Sequence, residues 1–299
     1  MSIMFKKYNP SPIFGEDYYA LREFLIKLDS HNYHFGRWDW MITHSWLDVS
    51  GLPKIGLWED GGNIVAAAMY DTELGRAFLL TFTGYEYLKE QMLLYAKDSL
   101  TKDGKFQVLV LDGDMQFQDI VIRNGFIPTQ EKEYDAIYPI DIDKIHYTLP
   151  DGFKITSMAE TYDLYRYGKV LWKGFNHELN GEGEFSPIDE RNGEVGFNRP
   201  NINLNLKIAV VAPNDDFVSY CGMWQDSKSK SVLVEPVATD PVYRKMGLGK
   251  AAVLEVIRRC GMLGAERAFV GSSQQFYYSI GFRPYATSTW WEQKHNNEE

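Results

Sequence analysis

The chain has 299 residues, of which 44% are hydrophobic and 15% aromatic, enough for one large core or for two of ordinary size. Its 41 acidic and 31 basic residues give a net charge of −10. This charge argues against nucleic acid or an anionic membrane surface as the principal partner and favours a cationic substrate.

Two cysteines, Cys221 and Cys260, are too few for a disulfide framework, so buried thiols in a reducing compartment are expected. No apolar run approaches the roughly 20 residues that a membrane span needs, and the N-terminal segment lacks the apolar core of a signal peptide. The cytoplasm is therefore the expected location.

The aromatic-rich segment HNYHFGRWDWMITHSW lies early in the chain. Its tryptophans and tyrosine are typical of a core or a domain interface, and a contribution to a pocket at a domain junction stays open. Its histidines, His31, His34 and His44, do not repeat at metal-ligand spacing, so no metal site is expected.

The rest of the first half predicts a hairpin followed by alternating strands and helices. Two apolar runs in KIGLWEDGGNIVAAAMY are joined by residues 60–63, Asp-Gly-Gly-Asn, which have the chemistry of a hairpin turn. RAFLLTF predicts the next strand, and a helical period follows at Leu88, Met92, Tyr95 and Ala96. FQVLVL predicts a buried strand, FQDIVIRNGF a short helix ending in Gly-Phe, and EYDAIYPI a last strand.

The second half repeats this order. Two strand-like runs in LKIAVVAPNDDFVSYCGMW flank a Pro-Asn-Asp turn, and SVLVEPVAT predicts the next strand. The helix after it carries its apolar residues at Val253, Val256, Ile257 and Cys260. RAFV, QFYYSIGF and TSTWWEQ then match the last three elements of the first half.

Landmarks at both ends of each half agree on a repeat of about 150 residues. Lys54 and Lys207 are 153 positions apart, and Gly125 and Gly281 are 156 apart. The agreement indicates duplication of one α/β domain, with a boundary near HYTLPDGFK, where a proline and an Asp-Gly pair interrupt the pattern. The predicted domains are residues 1–148 and 149–299.

The stretch VYRKMGLGKAA places glycines and cations where a predicted strand passes into a predicted helix. Gly247 and Gly249 lack a Cβ, so the unsatisfied N–H groups of the first helical turn are open to a close ligand. Together with the positive end of the helix dipole, the cations Arg244, Lys245 and Lys250 predict a phosphate or pyrophosphate site. A solvated basic turn is the alternative.

Two known phosphate-binding fingerprints fit this stretch poorly. Gly247, Gly249 and Ala252 formally match the dinucleotide pattern, but that fingerprint needs its first glycine directly at the strand end. Glu266 lies about where its ribose-binding acid is sought. A Walker loop lacks its first glycine here, and Ala251 stands at the place of its magnesium-binding hydroxyl.

The run Arg-Lys-Met-Gly-Leu-Gly, after VATDP and ahead of a long amphipathic helix, resembles motif A of the GNAT acetyltransferases, [QR]-x-x-G-x-[GA]. About thirty residues on, FYYSIGF resembles the second signature of that superfamily, a short helix with a tyrosine followed by Gly-Phe. The two signatures stand at their family spacing, and the match covers roughly residues 150–299.

The first half resembles a second GNAT domain by pattern only, because its TFTGYEYLKEQ lacks the cations and the paired glycines. The resemblance therefore implies a tandem protein in which only the second domain keeps the acyl-CoA site. It implies the fold class α/β (α+β), with each domain a mixed, largely antiparallel sheet flanked by helices.

The resemblance implies acetyl-CoA as acyl donor. No metal is expected, because His177 near Glu178 is no metal motif and nothing else suggests a ligand cluster. Its pyrophosphate is expected on the backbone N–H groups of Arg244, Lys245, Met246, Gly247, Leu248, Gly249 and Lys250. Its pantetheine is expected to pair like an extra strand with the splayed fourth strand at Val237, Ala238 and Thr239. The family often has an asparagine where this chain has Val270, so Ser272 or Ser273 is expected to take over that contact with CoA.

The acyl acceptor is expected to be a primary amine that attacks the thioester of acetyl-CoA. A base must first remove a proton from this amine, because an alkylammonium with a pKa of about 10 is almost wholly protonated at pH 7. Glu235 is the candidate base, because it lies two residues before Val237 on an otherwise apolar strand. The alternative is that Glu235 lies at the strand edge and faces solvent. The leaving thiolate needs a proton. The Gly-Phe signature implies Tyr277 as its donor, with Tyr278 as the fallback and a core aromatic as the alternative.

The segment WKGFNHELNGEGEFSPIDERNGE collects acidic residues amid glycines. The resemblance implies that this region is a mobile lid over the acceptor, and its carboxylates favour a cationic amine. The candidate substrate residues are His177, Glu178 and Glu184, with Glu182 beside them. A solvated acidic loop is the alternative.

The predicted function is transfer of an acetyl group from acetyl-CoA to a primary amine of a small molecule or peptide, by direct attack in a ternary complex. Nucleic acid and membranes are not expected as partners, and a homodimer is left open. One alternative is a non-catalytic sensor that binds acyl-CoA. Another is an aminoacyl transferase of the tandem-GNAT type that acts on cell-wall precursors.

Overall fold

The computed structural model describes residues 2–44, 46–186 and 197–294. The first half contains β1 (Met4–Lys7), α1 (Glu16–Leu28), α2 (Phe35–Thr43), β2 (Gly56–Asp60), β3 (Asn63–Met69), β4 (Arg76–Thr81), α3 (Lys89–Leu100), β5 (Gln107–Leu111), α4 (Met115–Arg123) and β6 (Phe126–Pro139). The second half contains β7 (Lys154–Ser157), α5 (Leu164–Gly174), β8 (Lys207–Val211), β9 (Phe217–Trp224), β10 (Ser231–Thr239), α6 (Leu248–Met262), β11 (Arg267–Val270), α7 (Gln275–Ser279) and β12 (Arg283–Gln293). From β2 and from β8 onward, the order of elements is the same, as the sequence pattern predicts.

The strands of the described residues form one continuous sheet in the order β1-β2-β3-β4-β5-β12-β6-β11-β10-β9-β8-β7. Two pairs in this sheet are parallel, β4 with β5 and β10 with β11. The remaining ladders are antiparallel. The predicted fold class, a mixed and largely antiparallel sheet flanked by helices, is confirmed.

The last strand of each half crosses into the sheet of the other half. β12 lies between β5 and β6, and the end of β6 pairs with β11 through Ala136–Pro139. This exchange joins the two halves edge to edge, which the sequence pattern does not predict. The division into residues 1–148 and 149–299 stays a prediction.

Apolar side chains of the predicted helices are buried against this sheet, because their period of 3.6 residues places them on one helix face. Val253, Val256 and Ile257 of α6 are fully buried, and α6 packs on β8, β9 and β10. The predicted buried thiols, Cys221 and Cys260, are both free and buried. In the described part of the chain, no helix is long and apolar enough to cross a membrane.

Helices of the first half also contact the second half. α2 packs against β9 and β10. The buried Arg22 of α1 donates to Asp39 of α2 at 2.8 Å and to Asp226, in the turn after β9, at 2.6 Å. A buried guanidinium shared by two carboxylates is a charge-assisted, geometrically specific contact. It holds α1 and α2 next to the ends of β9 and β10.

Candidate active site at the splayed strands of the second half

β10 and β11 separate soon after they begin. They pair in parallel only over Ser231–Leu233 and Arg267–Phe269. β10 then runs on to Thr239 beside β9, through a register shift that contains Glu235. Among the described residues, no strand pairs with the other edge of β10 beyond Leu233, and an unpaired strand edge is the kind of surface with which an extended ligand pairs.

The residues predicted to contact pantetheine lie on this part of β10. Val237, Ala238 and Thr239 pair with β9 on one side only. Ser219 of β9 donates from its hydroxyl to the carbonyl of Ala238 at 3.1 Å. The contact of these three residues with pantetheine stays a prediction.

The turn that precedes α6 presents a row of free backbone donors. Lys245 and Gly247 both adopt left-handed backbone conformations, with φ of 67° and 82°, and no side chain caps the helix. The first hydrogen bond into α6 runs from the N–H of Ala251 to the carbonyl of Gly247 at 3.0 Å. The N–H groups of residues 245–250 therefore have no acceptor within the described ranges, and such a row forms an anion-binding concavity.

The two glycines of this turn, Gly247 and Gly249, are needed for different structural reasons. A Cβ on Gly247 would meet no atom within 4 Å, so its left-handed conformation is what requires glycine there. A Cβ on Gly249 would lie 3.0 Å from the hydroxyl oxygen of Thr239, so a small residue lets α6 approach β10 closely. The local sequence thus sets both the turn and the position of the helix above the strand.

The cations of the stretch are also placed differently. Arg244 donates to the carbonyls of Thr239 and Gly174, at 3.1 and 2.8 Å, and thereby ties the end of β10 to the end of α5. Lys245 and Lys250 are exposed, and neither has an ion pair with a described residue. The two lysines are therefore the cations free to meet an anion at this turn.

Glu235 lines a cavity of 570 Å³ between the two halves. The other walls include Arg37 and Trp40 of α2, Asp71 and the loop 271–274 after β11. Burial raises the pKa of Glu235 to about 7, and the charge of Arg37 opposes that rise. A carboxylate with this pKa is about half ionised at neutral pH and is suited to accept a proton.

Ser272 and Ser273, the two residues expected to contact CoA in place of an asparagine, both lie in the wall of the same cavity. The N–H of Ser272 donates to the carbonyl of Val270 at 3.0 Å, and its hydroxyl accepts from the N–H of Gln274 at 3.2 Å. The contact of Ser272 or Ser273 with CoA stays a prediction.

Tyr277 is buried on α7, with its ring 5.0 Å from Phe276 and 5.5 Å from Phe282. Burial, followed by the charges of Cys221 and Glu235, raises its pKa above the ordinary value. The hydroxyl therefore stays protonated at neutral pH, as a proton donor must, within electrostatic reach of Glu235. Tyr278, the predicted fallback, is half-buried against the same core.

A second cavity of 330 Å³ lies next to the first and is mostly aromatic. Trp40 lines both cavities, and Pro236, the residue after Glu235, lines the second. Further walls are Trp172, Phe185, Tyr220 and Trp224. The aromatic segment of the first half thus contributes to a pocket at the junction, the option left open from the sequence.

Only some of the predicted substrate residues line the aromatic cavity. His177 lines the aromatic cavity, stacks on Trp172 at 4.3 Å and places its Nδ1 2.9 Å from Glu182, which lines the cavity too. Glu178 lies 3.8 Å from Lys173, and neither it nor Glu184 lines this cavity. Residues 187–194 of the predicted lid lie outside the described residues.

Sequence reasoning missed two charged residues at the site. Lys207 is 2% exposed and lines the aromatic cavity, and burial lowers its pKa to about 8. A lysine at the start of the apolar run KIAVV is a signal that could have pointed to it. Arg37 reaches the cavity of Glu235 only because α2 packs on the second half, which no local pattern indicates. The described residues contain no cluster suited to a metal ion.

Comparison with known proteins relates this arrangement to one family. Residues 172–282 match the model of the acetyltransferase (GNAT) family. A tandem GNAT protein from the clavulanic acid biosynthesis pathway has a similar structure, with a TM-score of 0.60 and 11% identity over 99% of this chain and 100% of that chain.

Two further solved structures have similar folds. A GCN5-related N-acetyltransferase from Sphaerobacter thermophilus has a TM-score of 0.54 and 12% identity, over 97% of this chain and 95% of that chain. The N-myristoyltransferase of Saccharomyces cerevisiae has a TM-score of 0.52 and 11% identity, over 98% and 81%. Identities this low show the fold alone. Among curated protein sequences, none matches this chain.

Proposed function

We propose, from the premise that this chain has a tandem GNAT fold and that residues 172–282 belong to the GNAT acetyltransferase family, that its second half is an N-acetyltransferase. The reaction is transfer of an acetyl group from acetyl-CoA to a primary amine of a small molecule or peptide, by direct attack in a ternary complex.

The observation that carries the proposal is the row of free N–H groups at residues 245–250 next to the unpaired edge of β10. The N–H row, with Lys245 and Lys250 beside it, suits a pyrophosphate. The edge of β10 suits an extended amide chain such as pantetheine. An acyl-CoA carries a pyrophosphate and a pantetheine in one molecule. With the pyrophosphate at the turn and the pantetheine along β10, the thioester comes toward Glu235.

Acetyl-CoA supplies the thioester whose acetyl group is transferred. Glu235 accepts the proton that the ammonium of the acceptor must lose before its nitrogen attacks the thioester carbonyl. N–H groups on the free edge of β10 donate to the carbonyl oxygen as it gains negative charge. Tyr277 donates its proton to the departing thiolate and then takes up the second proton that the attacking nitrogen loses. The products are an acetamide and free CoA, and Glu235 holds the first proton.

A cationic acceptor agrees with the net charge of −10 and with the carboxylate of Glu182 in the aromatic cavity. The free, buried thiols of Cys221 and Cys260 agree with a reducing compartment, and we propose the cytoplasm as the location.

Calorimetric titration with acetyl-CoA, followed by assay of thiol release with a panel of primary amines, tests the proposal. Saturable binding at one site per chain and amine-dependent thiol release are expected. Tight binding without release, unaffected by Glu235→Gln and Tyr277→Phe, would instead identify a sensor of acyl-CoA. Absence of binding would overturn the assignment of acetyl-CoA.

A further inference from the structure

Two residues that line the aromatic cavity, Lys207 and Trp224, have donor groups that the protein pairs incompletely. The ammonium of Lys207 donates to the carbonyl of Met223 at 3.2 Å and lies 3.9 Å from the ring centre of Trp224. No carboxylate of the described residues forms an ion pair with it. The indole N–H of Trp224 is buried and has no acceptor in the part of the chain that the structure describes. Both side chains line the cavity.

Ammonium and indole N–H groups are donors only, so neither satisfies the other. A buried ammonium without a counter-charge is costly, and buried charges in proteins are normally paired. A buried ammonium with one carbonyl partner and no carboxylate, beside an unpaired indole N–H, therefore favours a ligand that brings an oxygen acceptor with negative charge. The ring of Trp224 offsets part of the cost, because a cation is attracted to an aromatic face.

This pair of donors lies close to the proposed base. Lys207 pairs with Gly222 across β8 and β9, and a Cβ on Gly222 would lie only 2.6 Å from the carbonyl oxygen of Glu235. Lys207 on β8 and Glu235 on β10 therefore lie on opposite sides of Gly222 in β9. Two strand spacings separate their backbones, a distance of about 10 Å.

The surroundings of the donors select the rest of the ligand. The cavity has a volume of 330 Å³ and walls that include Trp172, Phe185 and Tyr220. Cavities of this size and composition enclose one aromatic or branched apolar group. A short polyamine would leave these rings and both donors without partners.

Resting on the function proposed above, we propose that the acceptor is an amine that also carries a carboxylate and an aromatic or branched apolar body, as a hydrophobic amino acid does. Lys207 and the indole N–H of Trp224 hold the carboxylate, and the ring-lined cavity holds the body. The amine is directed to Glu235. Such an acceptor still arrives with a cationic amine, so the proposal narrows the substrate class of the same site.

Three probes that share one aromatic body separate the contributions. Phenylalanine has the amine and the carboxylate, phenethylamine has the amine alone, and 3-phenylpropionate has the carboxylate alone. Thiol release from acetyl-CoA is measured for the two amines, and calorimetry measures the binding of 3-phenylpropionate. We expect kcat/KM for phenylalanine to exceed that for phenethylamine by roughly tenfold to a hundredfold, the usual effect of a hydrogen bond to a charged group.

The variant Lys207→Met keeps most of the length of the side chain and removes its charge. It should abolish the preference for phenylalanine over phenethylamine and the binding of 3-phenylpropionate. Lys169→Met is the matched control, because Lys169 lies on α5, pairs with Asp216 at 3.0 Å and does not line the cavity. Trp224→Phe, which keeps a ring and removes the indole donor, should reduce the preference in part.

Comparison of the three probes on the unaltered protein needs no variant, so the proposal stays testable if Lys207→Met does not fold. Equal turnover of phenylalanine and phenethylamine, with no binding of 3-phenylpropionate, would overturn the carboxylate site and leave the acetyltransferase function intact. Absence of acetyl-CoA binding would overturn the function instead. Binding of 3-phenylpropionate that is lost in Lys207→Met would then still support the carboxylate site.

Discussion

The turns that lead into α3 and α6 share a backbone feature and differ in what their donors meet. Gly84 and Gly247 are both left-handed, with φ of 93° and 82°, and a Cβ on either would meet nothing within 4 Å. In the first half, the carboxylate of Glu86 accepts from the N–H of Gly84 at 2.7 Å. In the second half, within the described residues, no protein group accepts from the N–H groups of residues 245–250. In the first turn a carboxylate of the protein thus occupies the backbone donor, whereas in the second turn the backbone donors are available to an anion from outside the protein.

The same contrast extends to the positions of the proposed base and acid. Glu235 lies four residues after the first residue of β10, and the equivalent position in β4 is Leu80. Tyr277 lies four residues before the glycine of its Gly-Phe pair, and the equivalent position in the first half is Val121. Both replacements are buried and apolar. The first half therefore has the same order of elements without equivalents of the proposed base and acid, and it supplies walls, such as Trp40, to both cavities.

The largest effect is expected from valine at the two turn glycines. Gly247→Val should weaken acetyl-CoA binding roughly a thousandfold, because it displaces several charge-assisted hydrogen bonds of the N–H row. Gly84→Val should leave the affinity unchanged. Both variants should lose a similar stability of about 1–2 kcal/mol, since each forces a left-handed conformation on a residue with a Cβ. Calorimetry and thermal unfolding measure the two quantities, and equal loss of binding in both variants would contradict the contrast between the turns.

Glu235→Gln should lower kcat by about a hundredfold or more while leaving acetyl-CoA affinity unchanged. The pKa of Glu235 is raised to about 7, so the carboxylate is protonated below pH 7 and serves as a base above it. The rate of the unaltered enzyme should therefore fall as the pH drops below 7, and the variant should lack this limb. Leu80→Met at the equivalent position is the control. An unchanged pH profile in Glu235→Gln would assign the base elsewhere.

Tyr277→Phe should slow turnover by about tenfold to a hundredfold, because the thiolate then leaves without a positioned proton donor. Acetyl-CoA affinity should stay nearly intact, since the ring and its packing are kept. The neighbouring substitution Tyr278→Phe removes a hydroxyl at the fallback position and should leave turnover as it is. If Tyr278→Phe is the slow variant, the donor is Tyr278, and if neither is slow, the proton comes from another source.

The smallest effect is expected from Glu86→Ala, which removes the acceptor for the N–H of Gly84. Loss of such a contact at a helix start lowers the free energy of unfolding by about 0.5–1 kcal/mol, which chemical denaturation measures. The variant should still bind one acetyl-CoA per chain, because the first turn also lacks cations equivalent to Lys245 and Lys250. If calorimetry finds a second binding site in this variant, Glu86 alone prevents acetyl-CoA from binding to the first half.

Much of the candidate site could be proposed from the sequence because its signals are local. The glycines and cations of VYRKMGLGKAA, the strand before them and the tyrosine ahead of Gly-Phe are close in sequence, and backbone preference and helix dipole act over that range. Glu235 was identifiable as a polar residue in an apolar strand. Whether such a residue faces solvent or a cavity depends on what packs over it, here α2 of the other half.

The sequence by itself determined the order of elements, the repeat and the turn that precedes α6, since periodicity and turn chemistry are properties of short segments. Only the tertiary structure decided that β6 and β12 change places in the sheet, that Arg37 and Trp40 stand beside Glu235, and that Lys207 is buried among aromatic rings. The alternation of a strand specifies which of its faces is buried and leaves open which neighbour pairs with each edge. That choice is made by contacts between residues far apart in the chain.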